Sequence, residues 1–192
     1  MKFVDKEYYD TLEVKKSKFI TYITSYDKFD ETMKRLRNEH PKARHFVYAY
    51  RYLNDFDQVV ENSSDDGEPK GTSGKPSLSV LSGADIINTG VIIIRYFGGV
   101  KLGTGGLVKA YSDAVNLVLQ SSRLKEFVKL EYKKLIVEYP ELSQIEYLIS
   151  KYNITIRDKV FTEKILLVLE SSFEEFHRLS KELSHNLDLE DL

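Results

Sequence analysis

The chain has 192 residues, 42% hydrophobic and 30% charged, with a net charge of −2 and a pI near 6.1. This excludes a disordered or low-complexity chain and argues against a generic binder of polyanions. No cysteine is present, which excludes disulfides, thiolate chemistry and cysteine-based zinc sites, and apolar runs such as Val91–Ile94 fall far short of a membrane span of about 20 residues.

The first strand signal is Lys18–Thr24, rich in β-branched and aromatic residues. A helix follows, with Asp27 or Asp30 as candidate caps and Phe29, Met33 and Leu36 at helical spacing. Arg44–Tyr52 alternates: His45, Val47, Ala49 and Arg51 share one face, and Phe46, Tyr48, Tyr50 and Tyr52 the other. The aromatic face suits either packing on the helix around Met33 or stacking on bases. Asn54–Ser63 reads as a polar loop. Pro76 suits the first turn of a short helix through Leu78 and Leu81 that Gly83 ends. Gly90–Phe97 reads as a buried strand, and Gly98–Gly106 as a glycine loop. A helix then carries an apolar stripe of Leu107, Ala110, Tyr111, Ala114, Leu117 and Val118.

Beyond Leu124 the pattern changes. Residues 1–124 carry a net charge of +2, residues 125–192 one of −4, and all ten glycines lie between Gly67 and Gly106. Strand signals at Lys129–Tyr139, Ile154–Phe161 and Lys164–Glu170 alternate with helices at Leu142–Ile149 and Phe173–Leu183. A short last strand is expected at Leu187–Leu189, and His177 and His185 fall on the final helix. The order β-α-β-β-α predicts a small ferredoxin-like domain. The expectation is therefore an α+β chain of two domains, 1–124 and 125–192, without internal repeats.

Glycine permits positive φ and close backbone approach, so a window holding every glycine marks backbone shaped for a purpose. The first loop, Ser64–Pro76, combines Asp65, Asp66 and Glu68 with Lys70, Gly71, Thr72, Ser73, Gly74 and Lys75. Pro76 after Gly74-Lys75 breaks the Walker pattern, and adjacent Asp65 and Asp66 without the closing Glu break the EF-hand pattern. The carboxylates suit Asx caps. His45, Asp66 and Ser73 are the candidates for nucleophilic chemistry.

The second loop runs from a buried strand through Gly98, Gly99, Gly103, Gly105 and Gly106 to a helix N-terminus. Free N–H groups and the positive end of the helix dipole favour an anion there, with Thr104 alongside and Arg95, Lys101 and Lys109 adding charge. The opposing reading is close strand–helix packing. The dinucleotide pattern fails at Val108.

Both loops, with Ala43-Arg-His45 and Ala49-Tyr-Arg51 upstream, resemble those of the YigZ/IMPACT family over roughly residues 15–120. The remainder is similar to the ferredoxin-like domain that bacterial members carry. The resemblance implies a first domain similar to the second domain of small-subunit ribosomal protein five. It implies a second domain similar to a C-terminal domain of elongation factor G. It also implies a translation-associated protein that binds RNA, the ribosome or a translation factor. Eukaryotic members modulate translation by competing for an activator of a starvation-sensing kinase. The alternatives are an enzyme acting on a phosphorylated small molecule, or a dipeptidase. A dipeptidase calls for a metal-ligand set that four scattered histidines and no HExxH do not offer. No cofactor, metal or membrane is called for, and a cytoplasmic location is expected without disulfides or an N-terminal apolar segment.

Overall fold

In the computed structural model, which describes residues 1–184 and 187–192, the chain divides into Met1–Phe127 and Val128–Leu192. The first unit contains, in order, β1 (Lys2–Phe3), β2 (Tyr8–Val14), β3 (Ser17–Ser25), α1 (Phe29–Glu39), β4 (His45–Leu53), β5 (Val59–Ser64), α2 (Gly74–Gly83), β6 (Thr89–Tyr96), α3 (Gly103–Ser121) and β7 (Lys125–Glu126). Five strands pair antiparallel in the order β2-β3-β6-β4-β5. The unit runs on past Leu124 because β7 pairs with β1.

Strand alternation distributes the core over both faces of this sheet. Phe19, Ile23, Val47, Ala49, Val91 and Ile93 pack with Leu81 of α2 and with Leu107, Ala110, Tyr111, Ala114 and Val118 of α3. The opposite face brings Ile20, Phe46, Ile92 and Ile94 against Phe29 and Leu36 of α1, with Met33, Tyr48 and Tyr50 at the margin. The tyrosine face of β4 is thus a helix-packing face. Ring centroids of Phe29 and Tyr48 lie 5.6 Å apart, and those of Phe29 and Tyr50 5.3 Å. β6 is central, and Thr89 through Arg95 are all buried, which is why it reads as an unbroken apolar run.

Local readings change in four places. The segment expected to be a polar loop contains β5, an edge strand paired with β4. Only Asn54–Gln58 turns, with the Asn54 side-chain oxygen accepting from the N–H groups of Phe56 and Gln58. Neither Asp27 nor Asp30 caps α1, because a 3-10 turn, Tyr26–Lys28, leads directly into it. α2 begins at Gly74, so Pro76 sits inside its first turn, where no intrahelical N–H bond is lost. α3 begins at Gly103, so three of the second loop's glycines belong to the helix itself.

The second unit contains β8 (Leu130–Val137), α4 (Leu142–Lys151), β9 (Thr155–Phe161), β10 (Ile165–Ser172), α5 (Phe173–Ser180) and β11 (Glu190–Asp191). Its antiparallel sheet has the order β11-β8-β10-β9, the ferredoxin-like arrangement. Leu135, Leu167 and Leu169 pack against Ile145, Leu148, Phe176 and Leu179 of the two helices. Ser172 caps α5 by accepting from the Glu175 N–H. The last strand lies at Glu190–Asp191 because Leu187 is drawn into the core. His177 is on α5, stacked on Phe173, and His185 lies outside the described residues. Among the described residues no helix is long and apolar enough to cross a membrane.

Candidate anion-binding cleft

The first glycine loop is tied up by its own carboxylates. Asp65 accepts from the N–H groups of Gly71 (2.7 Å), Ser73 (3.1 Å) and Gly74 (2.8 Å) and from the Ser73 hydroxyl (2.7 Å). It caps α2 from outside the helix and fills the place an anion would take. Burial pushes the Asp65 carboxyl up, but those hydrogen bonds outweigh it and hold the group below its ordinary value. Asp66 accepts from the Phe46 N–H at 2.6 Å and lies 3.7 Å from Arg37. Gly74 is bare for a local reason: a Cβ there would stand 2.7 Å from the Ser64 backbone.

The third carboxylate, Glu68, turns inward. Its Oε1 accepts from Arg95 Nη1 at 2.5 Å and from the Tyr111 hydroxyl at 2.9 Å, and all three residues are buried. The register of β4 on β6 sets His45 directly beside Arg95. Burial, followed by the negative charge of Glu68, pushes the Tyr111 hydroxyl up, so it remains a donor. Arg95 is only 7% exposed, and its Nε has no hydrogen-bond partner. A buried guanidinium donor without an acceptor is costly unless something else meets it.

The second loop is left open. Gly98 packs against the turn that leads into β3, where a Cβ would come within 2.0 Å of the Lys16 backbone, and its N–H donates to the Ser17 hydroxyl. From there the chain enters α3 with no side chain capping the helix start. Gly103, Thr104 and Gly105 are exposed there. A Cβ on Gly105 would meet nothing within 4 Å, so packing does not account for that glycine. The first N–H groups of a helix have no intrahelical acceptor and carry the positive end of its dipole.

Both loops meet at a cleft of about 480 Å³ lined by Arg44, His45, Glu68, Pro69, Arg95, Phe97, Lys101, Leu102, Gly103, Thr104 and Leu107. Sequence reasoning brought Arg95, Lys101, Gly103 and Thr104 to this place. Arg95 is not a free cation, however, since Glu68 holds one arm of it. Lys109 pairs with Asp113 on the exposed side of α3. Lys75 and Gly71 line a separate depression of about 400 Å³ with Val108 and Ser112. Thr72, Ser73 and Gly74 are buried, and Lys70 is exposed. Gly99 has positive φ with open space around it, and Gly106 packs on Leu102.

His45, Asp66 and Ser73 do not form a catalytic relay. His45 Nδ1 bonds the main-chain oxygen of Asp66 at 2.9 Å rather than its carboxylate. Ser73 is fully buried and gives its proton to Asp65. Among the described residues no group of three His, Cys, Asp or Glu is placed to hold a metal. Sequence reasoning missed Phe97, Tyr111 and the pairing of Glu68 with Arg95. The available signal was period two: Arg95 shares the inward face of β6 with Val91 and Ile93, and a buried arginine requires a partner.

The family model of the Impact N-terminal domain matches residues 15–119. The chain belongs to the IMPACT family. A domain of unknown function, DUF1949, matches residues 135–186 of this IMPACT chain. An IMPACT family member of Haemophilus influenzae is 36% identical over 90% of this chain and 85% of its own length. The IMPACT family member YigZ of Escherichia coli is 39% identical over 72% of this chain and 70% of its own. A crystal structure of a hypothetical protein superposes with a TM-score of 0.68 at 31% identity, covering 100% of this chain and 96% of that one.

Proposed function

We propose that this IMPACT-family chain is a translation-associated accessory protein that docks RNA, free or within the ribosome, at the cleft between the two glycine loops. The translational part rests on the family, whose eukaryotic members act on translation. The single observation that carries the docking surface is the meeting of an uncapped α3 with a buried, unpartnered Arg95 Nε in one cleft. Arg44 and Lys101 at its rim add positive charge on the side where the helix dipole is positive.

The enzymatic alternatives have less support, since their candidate residues are engaged with other partners.

The test is RNA affinity as a function of salt. Phosphate contacts release counterions, so log affinity falls against log salt by about 0.7 to 0.9 per contact. The expected result is a measurable slope that decreases by about one such step for each of Arg44→Ala and Lys101→Ala. A salt-independent affinity, or one untouched by both substitutions, contradicts the proposal.

A further inference from the structure

The lining of the cleft offers more than phosphate contacts. Besides its cations it presents Phe97, Pro69, Leu102 and Leu107, and Phe97 is 59% exposed. The Arg95 guanidinium lies 5.7 Å from the centre of the Phe97 ring. A cation beside an exposed aromatic is a platform for a flat, polarisable ring. The volume of about 480 Å³ falls in the range of sites that enclose one small molecule.

The polar groups divide by what they can bond. Arg95, whose buried Nε lacks an acceptor, and the first N–H groups of α3 are donors. His45 is the opposite. Its Nδ1 bonds a carbonyl oxygen, which only accepts, so Nδ1 carries the proton and Nε2 of the neutral ring is an acceptor. The lining therefore combines donors for an anion, an acceptor for a hydroxyl and an apolar surface.

We infer that the cleft is a pocket for a single ribonucleotide phosphate. The phosphate sits at Arg95, Lys101 and the start of α3, a sugar hydroxyl donates to His45 Nε2, and the base lies on Phe97. This rests on reading the cleft as an anion site and names its occupant. The same chemistry comes from a free nucleotide or from the 5′-phosphorylated end of an RNA.

The test titrates the full chain with adenosine 5′-monophosphate, its 2′,3′-dideoxy form, ribose 5-phosphate and inorganic phosphate. The monophosphate is expected to bind at least about fivefold more tightly than ribose 5-phosphate, the difference that stacking of one base provides. Phe97→Ala, an exposed position that leaves the core intact, removes that difference without altering phosphate binding. The dideoxy form binds more weakly than the parent, and His45→Phe abolishes that preference. Should His45→Phe fail to fold, the wild-type comparison alone decides: equal affinities overturn the role of His45. Equal binding of inorganic phosphate and the monophosphate, or no effect of Phe97→Ala, overturns the pocket.

Short RNAs with and without a 5′-phosphate separate the two sources. A phosphate-dependent gain identifies an RNA end; binding of the mononucleotide alone identifies a free nucleotide. Steep, salt-dependent binding of 5′-hydroxyl RNA with no mononucleotide binding overturns the pocket and leaves RNA docking standing. Mononucleotide binding without any RNA binding does the reverse.

Discussion

The two glycine loops use the same residue for opposite ends. In Ser64–Pro76 the glycines let the backbone fold back on Asp65, whose carboxylate takes the N–H groups of Gly71, Ser73 and Gly74 at the approach to α2. In Gly98–Gly106 the glycines carry the chain off β6 and into α3, and no side chain closes the helix start. One loop brings its own anion; the other leaves room for one. A helix N-terminus that is satisfied internally is a structural joint, whereas one that is exposed beside an arginine whose buried Nε has no acceptor has a vacancy in its hydrogen bonding.

Glu68 ties the first loop to β6 and α3, the elements that flank the second, and removing that tie is expected to give the largest effect. Glu68→Ala leaves Arg95 buried without its counter-charge, at a cost of about 3–5 kcal/mol, read by urea unfolding. The double change Glu68→Leu, Arg95→Met should recover most of that loss, because the penalty belongs to the stranded charge. A mild single mutant would show that the first loop is held to β6 and α3 by other contacts.

Gly98→Ala comes next. The new methyl meets the Lys16 backbone rather than a movable side chain, and a cost of about 1–3 kcal/mol is expected in the same unfolding measurement.

Asp65→Ala follows at about 1–2 kcal/mol, the range of a lost helix cap, and it should not alter ligand affinity at the cleft. Its pH dependence has a definite sign. The carboxyl is held below its ordinary value of 3.8 in the folded chain. Its contribution is therefore full above about pH 4 and is lost as pH falls through the lower folded value. The stability gap between wild type and Asp65→Asn should narrow on acidification over that window; a gap that widens would mean the bonds favour the protonated form.

The smallest effect is expected at Gly105, which no neighbour crowds. Gly105→Ala should raise stability by about 0.5–1 kcal/mol, the helix preference of alanine over glycine. A destabilised variant would place Gly105 with Gly98 as a packing glycine.

Much of this contrast was legible in the chain. The alternation of β4 assigns both of its faces, and the stripe from Leu107 to Val118 identifies the buried side of α3, because both depend on local periodicity alone. The Asx-type role of Asp65 was legible in kind, since the spacing allows it to reach back over the helix start. β5 was not legible. Glu61, Asn62, Ser63 and Ser64 have poor strand propensity, and pairing with β4 overrides it. The join of Glu68 to Arg95 spans 27 positions and depends on how the loop packs. Only the inward register of Arg95 pointed to it. Phe97 escaped notice because its value lies in its neighbours, the Arg95 guanidinium and the open helix, rather than in any motif.

The most direct test of an open second loop against a closed first one is an amide NMR titration of the full chain with adenosine 5′-monophosphate. Saturable shifts confined to Gly103, Thr104 and Gly105 and their cleft neighbours, with Gly71, Ser73 and Gly74 unmoved, are the predicted result. Shifts centred on Gly71–Gly74, or none at either loop, would contradict the account.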